Sequence, residues 1–407
     1  MPALRTDALV IGGGQAGLAA GHELAGLGVE HVIVERDRVG SAWLGLWDGF
    51  YTNTPNWSLM LPGQAYDGDE PDGFLTREGI VGYLERYAQA ADSPVHEGVD
   101  VSSLRPADEG FRLETSDGPI DARAVVVCTG AFQRAFRPRG AEALPAGLLA
   151  IDTRDYREPS SLPEGAVLVV GNGQSGCQIA EELVDAGRDV VLSCGRAAWA
   201  PRSIGGHDLL WWMLETGFMD QRVDALPSPA ARLAANVTAS GVAGGHDLHA
   251  RSLRAKGVTL VGRFAGCHGA TIRFDGDLAA SMAWADERYS DIRRMIEELC
   301  AARGIGDPGL PDPEPFDEEG SPDALASASL GAVIFAGGFR SDYPGWLDLP
   351  GGFDEMGFPV QRDGASSVAP GLFFAGVHFL RTRKSSLLCG VGEDAAIVAG
   401  GMAEHLG

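Results

Sequence analysis

Basic residues are scarce in this sequence of 407 residues. Lys and Arg together number 32, against 56 Asp and Glu, and the formal net charge is −24. Lysine occurs only at Lys256 and Lys384. Because proteins hold phosphate backbones chiefly through clustered Lys and Arg, this balance argues against a nucleic-acid partner.

Long apolar runs are missing as well. No apolar stretch approaches the roughly 18 residues needed to cross a bilayer. The first predicted strand begins about Asp7, which leaves no room for a secretory signal. We therefore expect a cytoplasmic protein without a membrane partner.

The cysteines show no paired spacing. The sequence has six of them and no C-x-x-C motif. This scatter argues against a zinc site and against a redox dithiol of the thioredoxin-reductase type, so we expect no metal. The six are Cys128, Cys177, Cys194, Cys267, Cys300 and Cys389.

Glycine is abundant, with 57 residues, and it marks a nucleotide-binding unit at residues 9–35. The segment LVIGGGQAGLAAGHELAGLGVEHVIVE predicts a strand, a glycine turn, an amphipathic helix and a second strand. Gly12, Gly14 and Gly17 fit G-x-G-x-x-G, whose glycines allow the tight turn, the approach of a pyrophosphate and close helix–strand contact. The helix N-terminus offers unpaired N–H groups to phosphates. Glu35 ends the second strand, where a carboxylate can accept hydrogen bonds from ribose hydroxyls.

The same pattern occurs again at residues 168–196, LVVGNGQSGCQIAEELVDAGRDVVLSCGR. Gly171, Gly173 and Gly176 repeat the spacing of the first three glycines. The chain is therefore predicted to contain two dinucleotide-binding folds.

The second unit lacks the acidic residue of the first. Cys194 stands at the position that matches Glu35, between Ser193 and Arg196. A hydroxyl and a guanidinium can bind a ribose 2′-phosphate, which a carboxylate would repel. We therefore expect the second site to prefer NADPH over NADH.

Aromatic and polar loops come after the first unit. The loop of residues 36–43 can flank an adenosine and cover a pyrophosphate, although a plain surface loop would have the same composition. Residues 47–66 are rich in aromatic residues and proline, as in the wall of an apolar pocket. Within them, the Asn53 amide either orients a nicotinamide or an oxygen intermediate or simply forms a turn. His207 and Asp208 could carry protons, but such a pair in a loop is more often structural.

Further buried strands predict a discontinuous first domain. The strand at residues 124–128 runs into Thr129 and Gly130, and residues 332–338 echo this segment, which suggests a return to the first domain. Residues 372–376 form another buried strand that ends in glycine. The stretch 381–396 is expected to open a helix whose N-terminus faces a flavin ring carbonyl.

Several motifs together resemble the bacterial flavin-containing monooxygenase family, the group B flavoproteins that depend on NADPH and FAD. They are GSAW, TNTPNW, YRxPSSLP, LSCGR, AGGFRSDY and RTRKSSLL. The resemblance implies an α/β fold with two Rossmann-like domains, in which an NADPH domain is inserted into a discontinuous FAD domain. The expected bounds are 1–160 and 325–407 for the FAD-binding domain and 161–324 for the NADPH-binding domain.

The resemblance also assigns candidate site residues, with Asn53 as the active-site asparagine near flavin and nicotinamide. The matches to FAD contacts are Gly12, Gly14, Gly17, Glu35 and Trp43, and the candidate set adds Gln15, Ala16, Arg36, Thr129, Gly130, Gly376 and Leu388 around them. The matches to NADPH contacts are Gly171, Gly173, Gln174, Ser175, Gly176, Ser193, Arg196 and Arg202.

The implied activity is an NADPH-dependent FAD monooxygenase. Such an enzyme inserts one oxygen atom of O2 into a small organic substrate through a C4a-(hydro)peroxyflavin, in a dry pocket walled by residues such as Trp47, Phe50 and Trp211. Asp152 stands where the family pattern has histidine and Gly337 where it has threonine, so an NADPH oxidase or flavin reductase stays an alternative. A non-catalytic dinucleotide-sensing protein is a third. The sequence leaves the substrate and the oligomeric state open, a homodimer being one candidate.

Overall fold

The computed structural model describes residues 4–130 and 132–407. Up to residue 130, the strands and helices in chain order are β1 (Leu4–Ile11), α1 (Gln15–Gly26), β2 (His31–Glu35), α2 (Ser41–Leu44), β3 (Met60–Leu61), β4 (Gln64–Ala65), α3 (Arg77–Ala90), β5 (Val95–Glu97), β6 (Val101–Ala107), β7 (Gly110–Thr115) and β8 (Ile120–Val127).

The middle of the chain contributes the second unit. Its strands and helices are β9 (Arg134–Ala135), β10 (Leu149–Asp152), β11 (Ala166–Val170), α4 (Gln174–Asp185), β12 (Val190–Ser193), β13 (Ala197–Trp199), β14 (Ser203–Ile204), β15 (His207–Asp208), α5 (Leu209–Glu215), β16 (Ala235–Ser240), β17 (His246–Asp247), α6 (Ala250–Ala255), β18 (Thr259–Val261), β19 (Phe264–His268), β20 (Thr271–Phe274), α7 (Leu278–Arg303) and β21 (Ala324–Ala326). The last part of the chain forms β22 (Leu330–Phe335), β23 (Phe339–Arg340), β24 (Gln361–Arg362), β25 (Ala365–Ser366), β26 (Leu372–Phe374) and α8 (Val391–Leu406).

The first sheet has a parallel centre in the order β26-β8-β1-β2-β5. Its central strands are apolar without alternation, since residues 8–11 and 124–127 are all buried. Such continuous burial is expected for parallel strands that are covered on both faces. Helices α1 and α8 pack on one face, and the other face packs against the β6–β7 hairpin and residues near 343–358.

The second sheet repeats this plan in the order β10-β22-β11-β12-β18, with every neighbouring pair parallel. Strand β22 therefore belongs to the second sheet, and the prediction that residues 332–338 return to the first domain is wrong. The echo between the two segments has a different cause: β22 pairs with β11 as β8 pairs with β1, so they are equivalent strands of two units. The expected boundary at residue 325 lies too early, because the chain returns to the first unit only at residues 343–347, where Leu347 bridges Leu104 of β6. Strand β10 likewise lies in the second sheet, although residues 1–160 were expected to belong to the first domain.

The predicted helices are present, with one shifted start. Thr76 caps α3, and its side-chain oxygen accepts a hydrogen bond from the Gly79 N–H at 3.2 Å. Helix α8 begins only at Val391, so residues 381–390 form turns before it rather than its first turns. No helix within residues 4–130 and 132–407 is both long enough and apolar enough to span a membrane.

Candidate active site

The first glycine turn has the geometry that a dinucleotide requires. Gly12 has a φ of +113°, and a Cβ there would lie 2.5 Å from the Cys128 carbonyl oxygen. A Cβ on Gly17 would lie 1.8 Å from the Gly12 carbonyl oxygen, so helix and turn touch through these two residues. A Cβ on Gly14, by contrast, would meet no atom within 4 Å. The turn is therefore closed toward the protein and open where a pyrophosphate would approach.

The carboxylate of Glu35 is fixed beside this turn. It accepts hydrogen bonds from the backbone N–H of Gly13 at 2.6 Å and of Asp37 at 3.0 Å. The side chain is half-buried at the end of β2, so its remaining lone pairs can accept from ribose hydroxyls. Arg36 is exposed next to it and pairs with Asp37 at 3.4 Å.

Polar contacts tie the first turn to the C-terminal segment. The Gln15 side chain accepts from Trp43 Nε1 and donates to the Ser386 carbonyl oxygen, each at 3.3 Å. Ala16 faces Gly376, whose φ is +69° and whose Cβ would come within 2.5 Å of the Ala16 methyl group. The end of β26 therefore reaches the start of α1.

The remaining candidates of the first unit lie around this junction. Thr129 is exposed, and its hydroxyl oxygen and the Gly130 carbonyl oxygen both accept from Gln133 Nε2 at 3.0 Å. Leu388 is buried in the core that α1 and α8 share, just before α8 begins. Leu388 therefore packs beside the helix that follows the first glycine turn.

The second glycine turn repeats the geometry of the first. Gly171 has a φ of +111°, and a Cβ there would lie 2.6 Å from the Ala336 carbonyl oxygen. A Cβ on Gly176 would lie 1.8 Å from the Gly171 carbonyl oxygen. Gly173 precedes α4, and Ser175 lies half-buried in the first turn of that helix. This turn therefore also fits a dinucleotide.

Asn172 is a site residue that the sequence reasoning missed. It is buried inside the second turn, and its Oδ1 accepts from the Gly195 N–H at 2.8 Å. The contact fixes the loop after β12, where Arg196 lies exposed. The signal was visible, because asparagine replaces the middle glycine of the first turn.

The placement of Ser193 contradicts its predicted contact with a 2′-phosphate. Its side chain is 2% exposed, and the hydroxyl donates to the Gly262 carbonyl oxygen at 3.0 Å. The segment after β18 covers the end of β12, where Cys194 is also buried. Arg196 is thus left as the exposed polar group of the pair.

Asn53 joins the two units. Its side-chain amide donates to Gln174 Oε1 at 3.2 Å, and Gln174 is the first residue of α4 in the second turn. The Gln174 side chain also exchanges two hydrogen bonds with the backbone of Ala239, at 2.7 and 3.2 Å. The loop that bears Asn53 therefore meets the second glycine turn directly.

Arg202 binds the backbone of the loop that carries Asn53. Its Nη1 donates to the Asn53 carbonyl oxygen at 2.6 Å, and its Nε lies 2.7 Å from a carboxylate oxygen of Asp208. The guanidinium carbon lies 4.5 Å from the centre of the Phe74 ring. Burial lowers the pKa of Arg202 and raises that of Asp208, and the attraction between the two opposes both shifts. This placement favours a role in positioning Asn53 over the predicted contact with NADPH.

The three residues of the predicted aromatic wall differ in burial. Trp47 is 2% exposed and packs in the core of the second unit, while Phe50 lies half-buried between Trp43 and Trp47 at 6.2 and 5.2 Å. Trp211 stacks on His207, with ring centres 3.9 Å apart. Phe50 is linked to the first turn through Trp43, which donates to Gln15.

The cysteine side chains are mostly buried. All six cysteines are unpaired, and five of them are buried. Burial raises the pKa of Cys177 to about 12 and that of Cys389 to about 11, so neither forms a thiolate readily at neutral pH.

Comparisons with known proteins agree with this architecture. Residues 9–205 match the family described as pyridine nucleotide-disulphide oxidoreductase. The chain is 32% identical over 406 residues to an uncharacterized CzcO-like oxidoreductase from Geobacillus kaustophilus, which covers 98% of this chain and 99% of the relative.

Solved structures show the fold. A flavin-containing monooxygenase from Stenotrophomonas maltophilia superposes with a TM-score of 0.70 at 20% identity, covering 99% of this chain and 100% of that one. A complex of OTEMO with FAD and NADP superposes with a TM-score of 0.55 at 13% identity, covering 98% of this chain and 85% of that one. The chain thus belongs to the family of CzcO-like oxidoreductases and has the α/β fold of the flavin-containing monooxygenases.

Proposed function

We propose that this protein is an NADPH-dependent FAD monooxygenase that transfers one oxygen atom from O2 to a small organic molecule. The observation that carries the proposal is the hydrogen bond between Asn53 and Gln174. It brings a loop of the first dinucleotide unit onto the glycine turn of the second. Hydride transfer requires the reacting rings of the two cofactors to lie next to each other. A contact between the two units beside the second turn supports such an arrangement.

The geometry of both turns supports a dinucleotide at each, and we assign FAD to the first and NADPH to the second. The OTEMO structure, with the same fold, contains FAD and NADP. When bound, a flavin accepts hydride from NADPH and reacts with O2. The protein then contributes binding, orientation and exclusion of water.

Named residues supply these contributions. Glu35 accepts from ribose hydroxyls of FAD, and exposed Arg196 binds the 2′-phosphate of NADPH. The Asn53 amide, held by Gln174 and Arg202, presents its polar atoms where the two units meet. The half-buried rings of Trp43 and Phe50 limit the access of water on the side of the first turn.

The test combines binding and stoichiometry. Purified protein is expected to retain flavin absorbance and to consume NADPH and O2 in equal amounts. With ¹⁸O2 and a panel of amines, sulfides, ketones and oxo acids, one ¹⁸O atom should appear in product for each NADPH oxidised. Absence of flavin after careful purification would defeat the proposal, and so would peroxide release that equals NADPH use with every compound in the panel.

The second outcome would favour an NADPH oxidase, which two departures from the family pattern support. Asp152 forms an ion pair with Arg137 at 2.8 Å, so it cannot replace a neutral histidine. At Gly337 a Cβ would lie 2.6 Å from the Phe136 carbonyl oxygen, so the threonine of the family pattern would not fit. Both contacts involve residues that directly follow β9, the strand that pairs with β23.

The unpaired cysteines also support a cytoplasmic location. Proteins of oxidising compartments commonly pair their cysteines, and all six cysteines of this chain are free. Fractionation of cells that produce the protein would test the location.

A further inference from the structure

We propose that the substrate carries a carboxylate and that Arg383 binds it. This inference rests on the proposed function, because it names the class of molecule that the same site would oxygenate. Arg383 lies in the segment between β26 and α8, which passes the first glycine turn through the contact between Ser386 and Gln15.

Arg383 differs from its neighbours in having no negatively charged partner among the described residues. Its two side-chain acceptors are amide oxygens, Gln221 Oε1 at 2.5 Å and Asn236 Oδ1 at 3.3 Å. Its neighbour Arg381, by contrast, pairs with the Asp394 carboxylate at 3.0 Å. Arg222, which lies across from this segment, pairs with Asp224 at 3.2 Å.

Aromatic rings hold the Arg383 guanidinium. Its central carbon lies 4.2 Å from the centre of the Phe218 ring and 4.9 Å from that of Phe379. Its Nε is buried and has no hydrogen-bond partner in the described part of the chain. Burial lowers the pKa of Arg383 to about 10, so the group is still charged at neutral pH. A desolvated charge of this kind is stabilised when an anion pairs with it.

A second guanidinium acts on the neighbouring His378. Arg232 is also largely buried, and its nearest carboxylate oxygen, on Asp354, is 3.6 Å away. Burial lowers the pKa of His378 to about 4, and the charges of Arg383 and Arg232 act in the same direction, so His378 is neutral at physiological pH. Asp354 offsets the charge of Arg232, so the uncompensated charge of Arg383 beside the neutral His378 makes this a local positive site in a chain of net charge −24.

This positive site lies beside the meeting point of the two units. Asn236, which contacts Arg383, is on β16, the strand that also carries Ala239, the partner of Gln174. At the rise of an extended strand, three residues span about 10 Å. A carboxylate on Arg383 would therefore leave the rest of a small molecule within reach of the Asn53–Gln174 contact.

The geometry favours a carboxylate over a nucleotide phosphate. A guanidinium binds a carboxylate or a phosphate through two parallel hydrogen bonds, so the surroundings of Arg383 decide between the two. Phe218 and Phe379 flank the same group with apolar surface, which suits a small carboxylic acid whose remainder is apolar.

The experiment uses the purified protein with the flavin it retains and compares benzoate with benzamide, which has the same shape without the charge. Binding is followed by the melting temperature and by flavin difference absorbance. Benzoate is expected to bind at least 10-fold more tightly than benzamide in the unaltered protein. Equal affinities would overturn the proposal, and this comparison needs no variant to fold.

Two variants locate the charge. Arg383→Met should weaken benzoate binding about 10- to 100-fold, the effect of losing charged hydrogen bonds. Arg222→Met, which removes an exposed arginine of the facing segment, should leave it unchanged. Retained affinity in Arg383→Met, or competition between benzoate and NADP⁺, would contradict the assignment. A protein that binds benzoate through Arg383 but never oxygenates any acid would refute only the proposed monooxygenase activity.

Discussion

At the residue scale, the two glycine turns differ in how they fix the segment after their second strand. In the first, the Glu35 carboxylate accepts from the Gly13 N–H at 2.6 Å. In the second, donor and acceptor are exchanged: the turn supplies the acceptor, Asn172 Oδ1, and the Gly195 N–H after the strand donates to it at 2.8 Å. The exchange removes a negative charge and leaves Arg196 exposed beside the turn. A phosphate is attracted to such a place, whereas it would be repelled next to Glu35.

Removing the Arg196 guanidinium tests this difference. The variant Arg196→Ala should raise KM for NADPH about 10- to 100-fold, as expected for lost hydrogen bonds to a charged group. KM for NADH, which lacks the 2′-phosphate, should change little. Steady-state kinetics with both nucleotides measure the effect, and Arg294→Ala on the exposed face of α7 is the control. Equal changes for NADPH and NADH would show that the phosphate is recognised elsewhere.

The half-buried imidazole of His378 predicts a pH-dependent stability. Burial lowers its pKa from 6.5 to about 4 in the folded protein. Between these values the unfolded chain binds more protons than the folded one, so the free energy of unfolding should fall as the pH drops from 6.5 to 4. Urea unfolding at pH 7, 5.5 and 4.5 measures it. The stability difference between the unaltered protein and His378→Gln should shrink toward pH 4, and a difference independent of pH would contradict the argument. His268→Gln, at an exposed position, serves as the control.

At the element scale, strand, turn and helix form one packed element in each unit. The turn is tied to the second strand by the Gly12 N–H, which donates to the Val34 carbonyl oxygen at 2.8 Å, and Gly171 donates to Ser193 at 2.9 Å in the same way. Gly17 then brings the helix onto the turn with no space for a side chain. The helix N-terminus is positioned by this contact, so its N–H groups point to a fixed place.

Adding one methyl group tests that contact. Gly17→Ala would place a Cβ 1.8 Å from the Gly12 carbonyl oxygen, and the helix must shift. We expect a loss of about 1 to 3 kcal/mol in unfolding free energy, together with weaker retention of flavin. Gly26→Ala in the same helix meets no atom within 4 Å and should be neutral or up to about 1 kcal/mol more stable. Denaturant unfolding and flavin absorbance after gel filtration measure both. Equal behaviour of the two variants would refute the contact.

Elements of local origin could be predicted from the sequence, whereas partners distant along the chain could not. Both glycine turns, helices α1 and α4 and the Thr76 cap follow from short-range patterns. The sheet to which β22 belongs does not, since a buried strand of either unit has the same composition and its partners are chosen by packing. The burial of Ser193 was missed for a similar reason, because the covering carbonyl of Gly262 comes from far along the sequence. The Asn53–Gln174 contact likewise joins residues of two units.

At the scale of the whole molecule, the two units are held together by the loop that carries Asn53. Gln178 of α4 donates to the Tyr51 carbonyl oxygen at 3.0 Å, on the neighbouring side of the loop. The turn between β16 and β17 closes over the loop, and a Cβ on Gly241 would lie 1.9 Å from the Thr52 carbonyl oxygen. Phe74 fills the space beside Gly241. The position of Asn53 therefore depends on how closely the second unit approaches this loop.

A substitution at Gly241 should weaken that contact between the units without changing either glycine turn. Gly241→Ala requires the loop at Thr52 to withdraw, which lengthens the 3.2 Å contact between Asn53 and Gln174. Overpacking of this kind costs about 1 to 3 kcal/mol, so the melting temperature should fall. Flavin retention should be unchanged, whereas a larger fraction of the O2 consumed should be released as peroxide, because the joint between the units admits water. Gly276→Ala, a turn substitution in the same unit that meets no atom within 4 Å, is the matched control. Peroxide assays and thermal unfolding measure the effect. If both variants behave like the unaltered protein, the added methyl group fits beside Thr52 without cost, and the alignment of the two units does not depend on this loop.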